Sequence, residues 1–171
     1  HTYGDFSIMS ELRTNRIVPR DGLPSGSAGG IIQIRQSSLT SGNVTPTVWQ
    51  TTSTSYVDVF SGTITPMRSD SKIFVQMAIA PYAGNTNTLR MAGQVLRGST
   101  QVWYSGDVFF RSGGTFKAVQ SAIAFLDSPG TTSTVTYKFQ VKITANSNST
   151  GEFNVDSTNY NNNMILMEVA G

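Results

Sequence analysis

The sequence predicts an all-β protein, an antiparallel β-sandwich of jelly-roll type with about ten strands and a short N-terminal arm. Three observations predict it. Segments of alternating apolar and polar residues recur roughly every 10 residues, separated by Gly, Pro, Ser and Asn. No stretch shows the periodicity of a long amphipathic helix. Charged residues make up only 13% of the chain, and Ser, Thr, Asn and Gln form its polar surface instead.

The stretch Ala122–Ile143 carries the strongest strand pattern. Ala122–Leu126 is apolar throughout, so we expect this strand to be covered on both faces. Val135–Ile143 alternates apolar with polar residues, as a strand with one buried face does. Asp127–Gly130, which lies between the two, consists of turn-forming residues. The whole stretch therefore predicts one β-hairpin.

The other predicted strands begin with Ile31–Gln36, whose alternation predicts a buried face for Ile32 and Ile34. Arg97–Thr100 predicts a tight turn that joins the strands on either side of it as a hairpin. The further predicted strands are Val44–Trp49, Ser55–Ile64, Lys72–Ala80, Leu89–Leu96, Gln101–Tyr104, Asp107–Arg111, Gly151–Asp156 and Met164–Val169.

The length of 171 residues suits one domain with its own core, which we assign to residues 31–171. Residues 9–30 are interpreted as an N-terminal arm or attachment segment, because Pro19 and the Gly-, Pro- and Ser-rich stretch after it end any helix early. Residues 1–8 precede Met9, which we take as the native start, and are interpreted as a non-native extension. The arm carries three arginines that could contact phosphates or a partner subunit or are ordinary solvated charges, namely Arg13, Arg16 and Arg20.

The composition excludes the commonest catalytic centres. The chain has no cysteine, and its one histidine is His1. Conventional zinc sites and the Cys–His and Ser–His–Asp types of catalysis therefore lack their residues. The ten acidic residues show no informative pair, since Glu152 and Asp156 share a predicted strand face in the manner of ordinary solvent-facing residues. We expect no enzymatic activity, no cofactor and no metal.

The net charge and the hydropathy pattern also limit the classes of partner that the protein is expected to bind. The net charge of +2 and the pI of about 9.1 reflect scarce carboxylates and no basic cluster, so we expect no binding to nucleic acid. No apolar run approaches the roughly 20 residues of a membrane-spanning helix. We therefore expect no membrane insertion.

Aromatic and amide side chains are the candidate contacts to a receptor. Tyr82, Trp103 and Tyr104 have flat faces that suit the apolar side of a sugar ring. Tyr160 and Asn161 lie in an asparagine-rich segment with the composition of an adaptable binding loop. The alternatives are packing in the core or between subunits for the aromatic residues, and a plain surface loop for the asparagine-rich segment.

Several pieces along the chain together resemble one family. They are MSELRTNRIVPRDGLPSG, GGIIQIRQ, TTSTSYVDVFSGTITP, SKIFVQ, VLRGST, AIAFLDSPGTTSTVTYKFQVK and the ending ILMEVAG. In this order they resemble virion proteins of tailed phages, the tail-fibre and related appendage proteins common in phages of cyanobacteria and other aquatic bacteria. The resemblance covers most of Met9–Gly171 and is lost at Val44–Gln50 and Gly106–Ala118.

This resemblance implies a β-sandwich that forms a homotrimer in a virion appendage, assembled in the host cytoplasm, with the N-terminal arm toward the particle and the outer loops toward the host. The leading hypothesis is therefore a non-enzymatic tail-fibre or receptor-binding tip that attaches the particle to a host surface glycan or protein through several weak contacts at once. Two alternatives stay open. One is a purely structural virion subunit, such as a capsid decoration or collar protein, and the other is a carbohydrate-binding module.

Overall fold

The computed structural model describes residues 30–39, 48–83, 89–106, 110–112, 121–145, 150–154 and 162–171, and all regular structure in these ranges is β-strand. No helix suited to crossing a membrane occurs in this part of the chain. The twelve strands are β1 (Ile31–Ser38), β2 (Val48–Thr51), β3 (Val57–Ile64), β4 (Lys72–Ile79), β5 (Pro81–Ala83), β6 (Leu89–Arg97), β7 (Thr100–Tyr104), β8 (Phe110–Ser112), β9 (Ser121–Asp127), β10 (Val135–Ala145), β11 (Gly151–Asn154) and β12 (Asn163–Val169).

The strands form two main sheets and one small sheet, all antiparallel in their pairing. A four-stranded sheet has the order β1-β12-β4-β9, and a five-stranded sheet has the order β3-β10-β6-β7 with β8 also paired to β6. Apart from β8 and the small sheet, each step along the chain crosses from one main sheet to the other except the β6–β7 hairpin, which is the double Greek-key connectivity of a jelly roll. The predicted fold class is thereby confirmed. The additional three-stranded sheet, β2-β11-β5, raises the number of strands above the predicted ten or so.

The core lies between the two main sheets. Its centre is filled by large side chains that are fully buried because every second residue of each strand points inward. Phe139 of β10 contacts Phe60 of β3 and Phe153 of β11 edge to face, with ring centroids 6.0 Å apart in each pair. Trp49 of β2 packs on Phe153 at 5.7 Å, so a continuous row of aromatic rings ties the small sheet to the sandwich core.

The prediction of one hairpin over Ala122–Ile143 is wrong. β9 pairs with β4 in the four-stranded sheet, whereas β10 pairs with β3 and β6 in the five-stranded sheet. Residues 128–134 cross from one sheet to the other. Turn residues between two apolar strands suit such a crossing as well as a hairpin, because each strand shows the same alternation whichever partner it takes. β9 is also an edge strand with exposed alternate residues, so it is not covered on both faces.

The predicted buried face of β1 is also wrong. The register shifts between Ile31 and Gln33, which marks a β-bulge, and beyond it Gln33 faces inward while Ile34 points to the outside. One extra residue reverses which alternate positions meet the core. The strand boundary at Ile31 agrees with the prediction, and the predicted buried position of Val141 is confirmed.

The predicted hairpin around Arg97–Thr100 is confirmed, since β6 and β7 pair directly across it. Gly98 takes a φ of 59°, a backbone conformation that glycine adopts at little cost. Gly62 is needed for a different reason. A Cβ there would lie 3.0 Å from Ser37 Oγ and 3.1 Å from Met164 Sδ, so glycine permits the close approach of β3 to the opposite sheet.

Candidate assembly surface

The residues that the sequence marked as receptor contacts do not come together in the described part of the chain. Trp103 and Tyr104 are neighbours on β7, where successive side chains point to opposite sides of the sheet. Trp103 packs partly buried against the core, whereas Tyr104 is 45% exposed. Tyr82 belongs to β5 in the separate three-stranded sheet, and its side chain lies outside the described residues. Tyr160, Asn161, Arg13, Arg16 and Arg20 also lie outside them.

The acidic residues in the described part of the chain show no catalytic arrangement. Glu152, expected to face solvent, is buried on β11, where Gln50 Nε2 donates a hydrogen bond of 3.2 Å to its carboxylate. Burial raises the pKa of Glu152 above its usual range. Asp156, its suggested companion, lies outside the described residues. Among the residues that the structure does describe, no three His, Cys, Asp or Glu side chains are grouped closely enough to hold a metal ion.

The outer face of the five-stranded sheet is polar. A row of hydrogen-bonded side chains crosses it from β7 to β3: Gln101 donates to Gln94 at 3.0 Å, Gln94 to Gln140 at 2.7 Å, and Gln140 to Asp58 at 2.6 Å. Lys138 completes the row through an ion pair of 2.9 Å with Asp58. Partial burial alone would raise the pKa of Asp58, but the hydrogen bonds from Gln140 and Lys138 together lower it. This face is therefore a well-hydrated exterior.

The outer face of the four-stranded sheet is mainly apolar, in contrast. The strand register aligns one large side chain from each strand in a single line, which we call the large row. Because neighbouring strands lie about 4.8 Å apart, these side chains are in contact range across the whole sheet. The large row consists of Ile34 of β1, Met167 of β12, Phe74 of β4 and Leu126 of β9.

A second row lies two residues along the strands from the large row, and a third row lies two residues farther on. The middle row is Gln36, Ile165, Gln76 and Ala124, and the small row is Ser38, Asn163, Ala78 and Ala122. On the other side of the large row, Ile31, Val169 and Lys72 are aligned. We call all these outward-facing residues together the apolar face.

Three large side chains of the apolar face are more than half exposed. Ile31 is 59% exposed, and Ile34 and Leu126 are each 52% exposed. These are three of the five large apolar side chains that are exposed in the described part of the chain. Scattered apolar residues are common on protein surfaces, but contiguous apolar patches mark sites of contact with another protein.

The sequence held a signal for this face that our reading of it missed. The uninterrupted apolar run Ala122–Leu126 predicts a strand that is covered on both faces. In the structure the inward side of this run meets the core at Ile123, while Ala122, Ala124 and Leu126 face outward. A strand that is apolar on both faces and lies at a sheet edge indicates cover from outside the domain.

Comparisons with known proteins found similar solved structures. No family model matches the chain, and no curated protein matches it. One similar solved structure is that of the Gx strain of infectious bursal disease virus, with 8% identity and a TM-score of 0.49 over 94% of this chain and 37% of that one. Another is the VP2 subviral particle of infectious bursal disease virus, with 10% identity and a TM-score of 0.46 over 94% of this chain and 42% of that one. The chain thus spans less than half the length of these viral proteins.

Proposed function

We propose that this chain is a structural subunit of a virus particle and that it is held in place by contacts through the apolar face. The observation that carries the proposal is the contrast between the two outer sheet faces. One is a hydrated row of glutamine, aspartate and lysine side chains, whereas the other aligns Ile34, Met167, Phe74 and Leu126 across all four strands.

The physical argument is that apolar surface gains about 25 cal/mol for each Å² removed from water. Ile34 and Leu126 lie on β1 and β9, the two edge strands of the sheet, so the exposed apolar surface extends from edge to edge. The opposite sheet carries hydrogen-bonded polar side chains on its outer face instead. Cover by a neighbouring protein explains why this face differs.

The assignment to a virus particle is supported by the sequence resemblance to tailed-phage virion proteins. The jelly roll is compatible with it, since viral capsid proteins and lectins both use this fold, but the fold alone does not define a function. The homotrimer, the assembly in the host cytoplasm and the attachment through Arg13, Arg16 and Arg20 stay predictions. The same holds for the position of the subunit within the particle, as a fibre, collar or decoration protein.

Particle composition tests the proposal. Phage particles from the source culture would be separated on a density gradient, and each fraction would be analysed by quantitative mass spectrometry for peptides of this chain. We expect the chain to peak with the particle fractions at a constant ratio to the major capsid protein. Fractions of equal total protein without particles are the control. A chain that is present in infected cells and absent from intact particles would contradict the proposal.

Receptor binding is a second candidate function, favoured by the exposed Tyr104 ring beside Gln94 on the polar face. An aromatic ring next to amide groups suits a sugar ring and its hydroxyls. If this face binds the host, Tyr104→Ala in the particle should lower adsorption while Thr63→Ala, on the same face, should not. Tyr160→Ala tests the asparagine-rich segment in the same assay. Unchanged adsorption by both tyrosine variants would leave the purely structural role.

A further inference from the structure

Side chains on the apolar face change from large to small along the strands. The large row and the small row lie at equal distances on either side of the middle row, because each step is two residues. On the half formed by β4 and β9 the contrast is sharpest, with Phe74 and Leu126 in the large row and Ala78 and Ala122 in the small row. The large row therefore forms a ridge and the small row forms a depression, at equal distances on opposite sides of the middle row.

We infer that the partner covering the apolar face is a second copy of this chain, turned by half a turn about the middle row. This inference rests on the proposed function and names the partner at that surface. The half turn places Leu126 of one copy over Ala122 of the other and Phe74 over Ala78, and each contact occurs twice, as in any two-fold interface. Sheets packed face to face lie about 10 Å apart, which allows a ridge to fill a depression.

The charges on the face permit this arrangement. Lys72 is the one charged side chain among the outward-facing described residues of β1, β12, β4 and β9. Lys72 lies two residues beyond the large row along its strand. The half turn therefore places it beyond the small row of the other copy. The two lysines therefore do not face each other, and no like charges are brought together at the contact.

The area of the apolar face determines how strongly two copies are expected to associate. Four strands about 4.8 Å apart and about seven residues long at about 3.3 Å each give a footprint of roughly 400 Å². Each partner in a standard stable interface contributes about 800 Å². Contact through this face alone is therefore expected to be weak and dependent on concentration. It gains strength when many copies are held together in a particle.

Residues 1–29 are the other possible occupant, because they precede Gly30, whose carbonyl accepts a hydrogen bond of 2.9 Å from Ala170 at the edge of the same sheet. The sequence favours the second copy over this segment. Residues 21–29 contain one large apolar side chain, Leu23, among Gly, Ser and Pro. The apolar side chains of residues 9–20 are interspersed with four charged ones, so the segment offers no continuous apolar surface.

Sedimentation velocity over a concentration series up to about 1 mM tests the inference, since it detects dissociation constants into the millimolar range. We expect the full chain to self-associate, and Leu126→Glu to weaken the association by about tenfold or more because it places an unpaired charge in the contact. Ala122→Phe should weaken it comparably by filling the depression. Thr63→Glu, on the exposed outer side of β3, and Ala122→Ser are the matched controls and should behave as the unmodified chain does. Deletion of residues 1–29 should leave the association unchanged.

Thermal unfolding of each variant shows that it is folded, and both test residues are exposed, so the substitutions should not disturb the single subunit. A monomer throughout the series would overturn the inference, as would equal association of Leu126→Glu and Thr63→Glu, or loss of association on deleting residues 1–29. A monomeric chain that is nevertheless present in purified particles would overturn the second copy as partner while leaving the proposed function intact.

Discussion

The Tyr137 hydroxyl donates a hydrogen bond of 2.7 Å to the Asp127 carboxylate, and this bond joins the two main sheets. Asp127 ends β9 in the four-stranded sheet, whereas Tyr137 lies in β10 of the five-stranded sheet. Arg97 of β6 adds hydrogen bonds of 2.8 and 2.7 Å to the same carboxylate. The cluster closes one end of the core where the chain crosses between the sheets.

Alkaline pH should weaken the protein through this cluster. Burial, and then the adjacent Asp127 carboxylate, raise the pKa of Tyr137 far above its ordinary value of 10.0. Above about pH 10 the unfolded chain loses this proton while the folded chain keeps it, so the free energy of unfolding falls as pH rises. We expect this fall in urea denaturation measured between pH 8 and about pH 11. In Tyr137→Phe the fall should be reduced; an identical pH dependence in both proteins would show that Tyr137 is not its source.

Glu168 should be the most costly carboxylate to remove. It is fully buried on β12 and accepts hydrogen bonds from Gln33 Nε2 at 2.6 Å and from the backbone N–H groups of Met67 and Arg68 at 2.8 and 3.2 Å. Glu168→Ala leaves these donors without an acceptor and should lower the free energy of unfolding by about 2–4 kcal/mol. Glu168→Gln keeps one acceptor oxygen and should cost about 1 kcal/mol. Equal stabilities of the two variants would contradict this role.

Replacement of Glu152 should stabilise the protein at neutral pH, whereas replacement of Glu168 should destabilise it. Because its pKa is raised in the folded protein, Glu152 ionises less readily there than in the unfolded chain. The stability that Glu152 contributes is therefore fully present below the unfolded pKa of about 4.5 and is lost as pH rises through the folded pKa. Glu152→Gln removes this loss. We expect the variant to gain stability relative to the unmodified chain at pH 7, with a smaller difference at pH 4. Chemical denaturation at the two pH values measures both, and a difference that does not depend on pH would contradict the assignment.

Gly62 should not accept a side chain. The methyl group of Gly62→Ala would crowd Ser37 Oγ and Met164 Sδ, with Leu166 Cδ1 at 3.4 Å. Overpacking of this kind costs about 1–3 kcal/mol, because the three neighbouring side chains must shift to make room for the methyl group. Ser61→Ala, at the neighbouring exposed position of β3, is the control and should change the free energy of unfolding little. If both variants unfold at the same urea concentration, the close approach of the sheets is not limiting.

The sequence predicted most of the fold because alternation and turn residues are local signals. The pattern of β10 and the Arg97–Thr100 turn were sufficient for the strands and for the β6–β7 hairpin. The sequence did not predict that β9 and β10 pair with strands in different sheets, because strand pairing depends on packing between residues that are distant along the chain. The bulge near Ile31 could not be predicted from the sequence either, because no residue type in this strand reveals it. It nevertheless reverses the faces of Gln33 and Ile34.

The candidate surface was harder to predict for a related reason. An apolar side chain has the same sequence signature whether it meets the core of its own subunit or the surface of another. Leu126 and Ile34 could be assigned to the outside only when the register with β4 and β12 was known. The receptor candidates came from residue type alone, and the structure places Trp103 against the core while Tyr104 faces outward.

The most direct test of the central claim, that a second copy of this chain covers the apolar face, is the rate of maleimide labelling at a single cysteine. The chain has no cysteine of its own, so Leu126→Cys and Thr63→Cys each report one position without interference. We expect labelling at position 126 to slow as the protein concentration rises, while labelling at position 63 stays constant. Equal and constant rates at the two positions over the whole range would contradict the account.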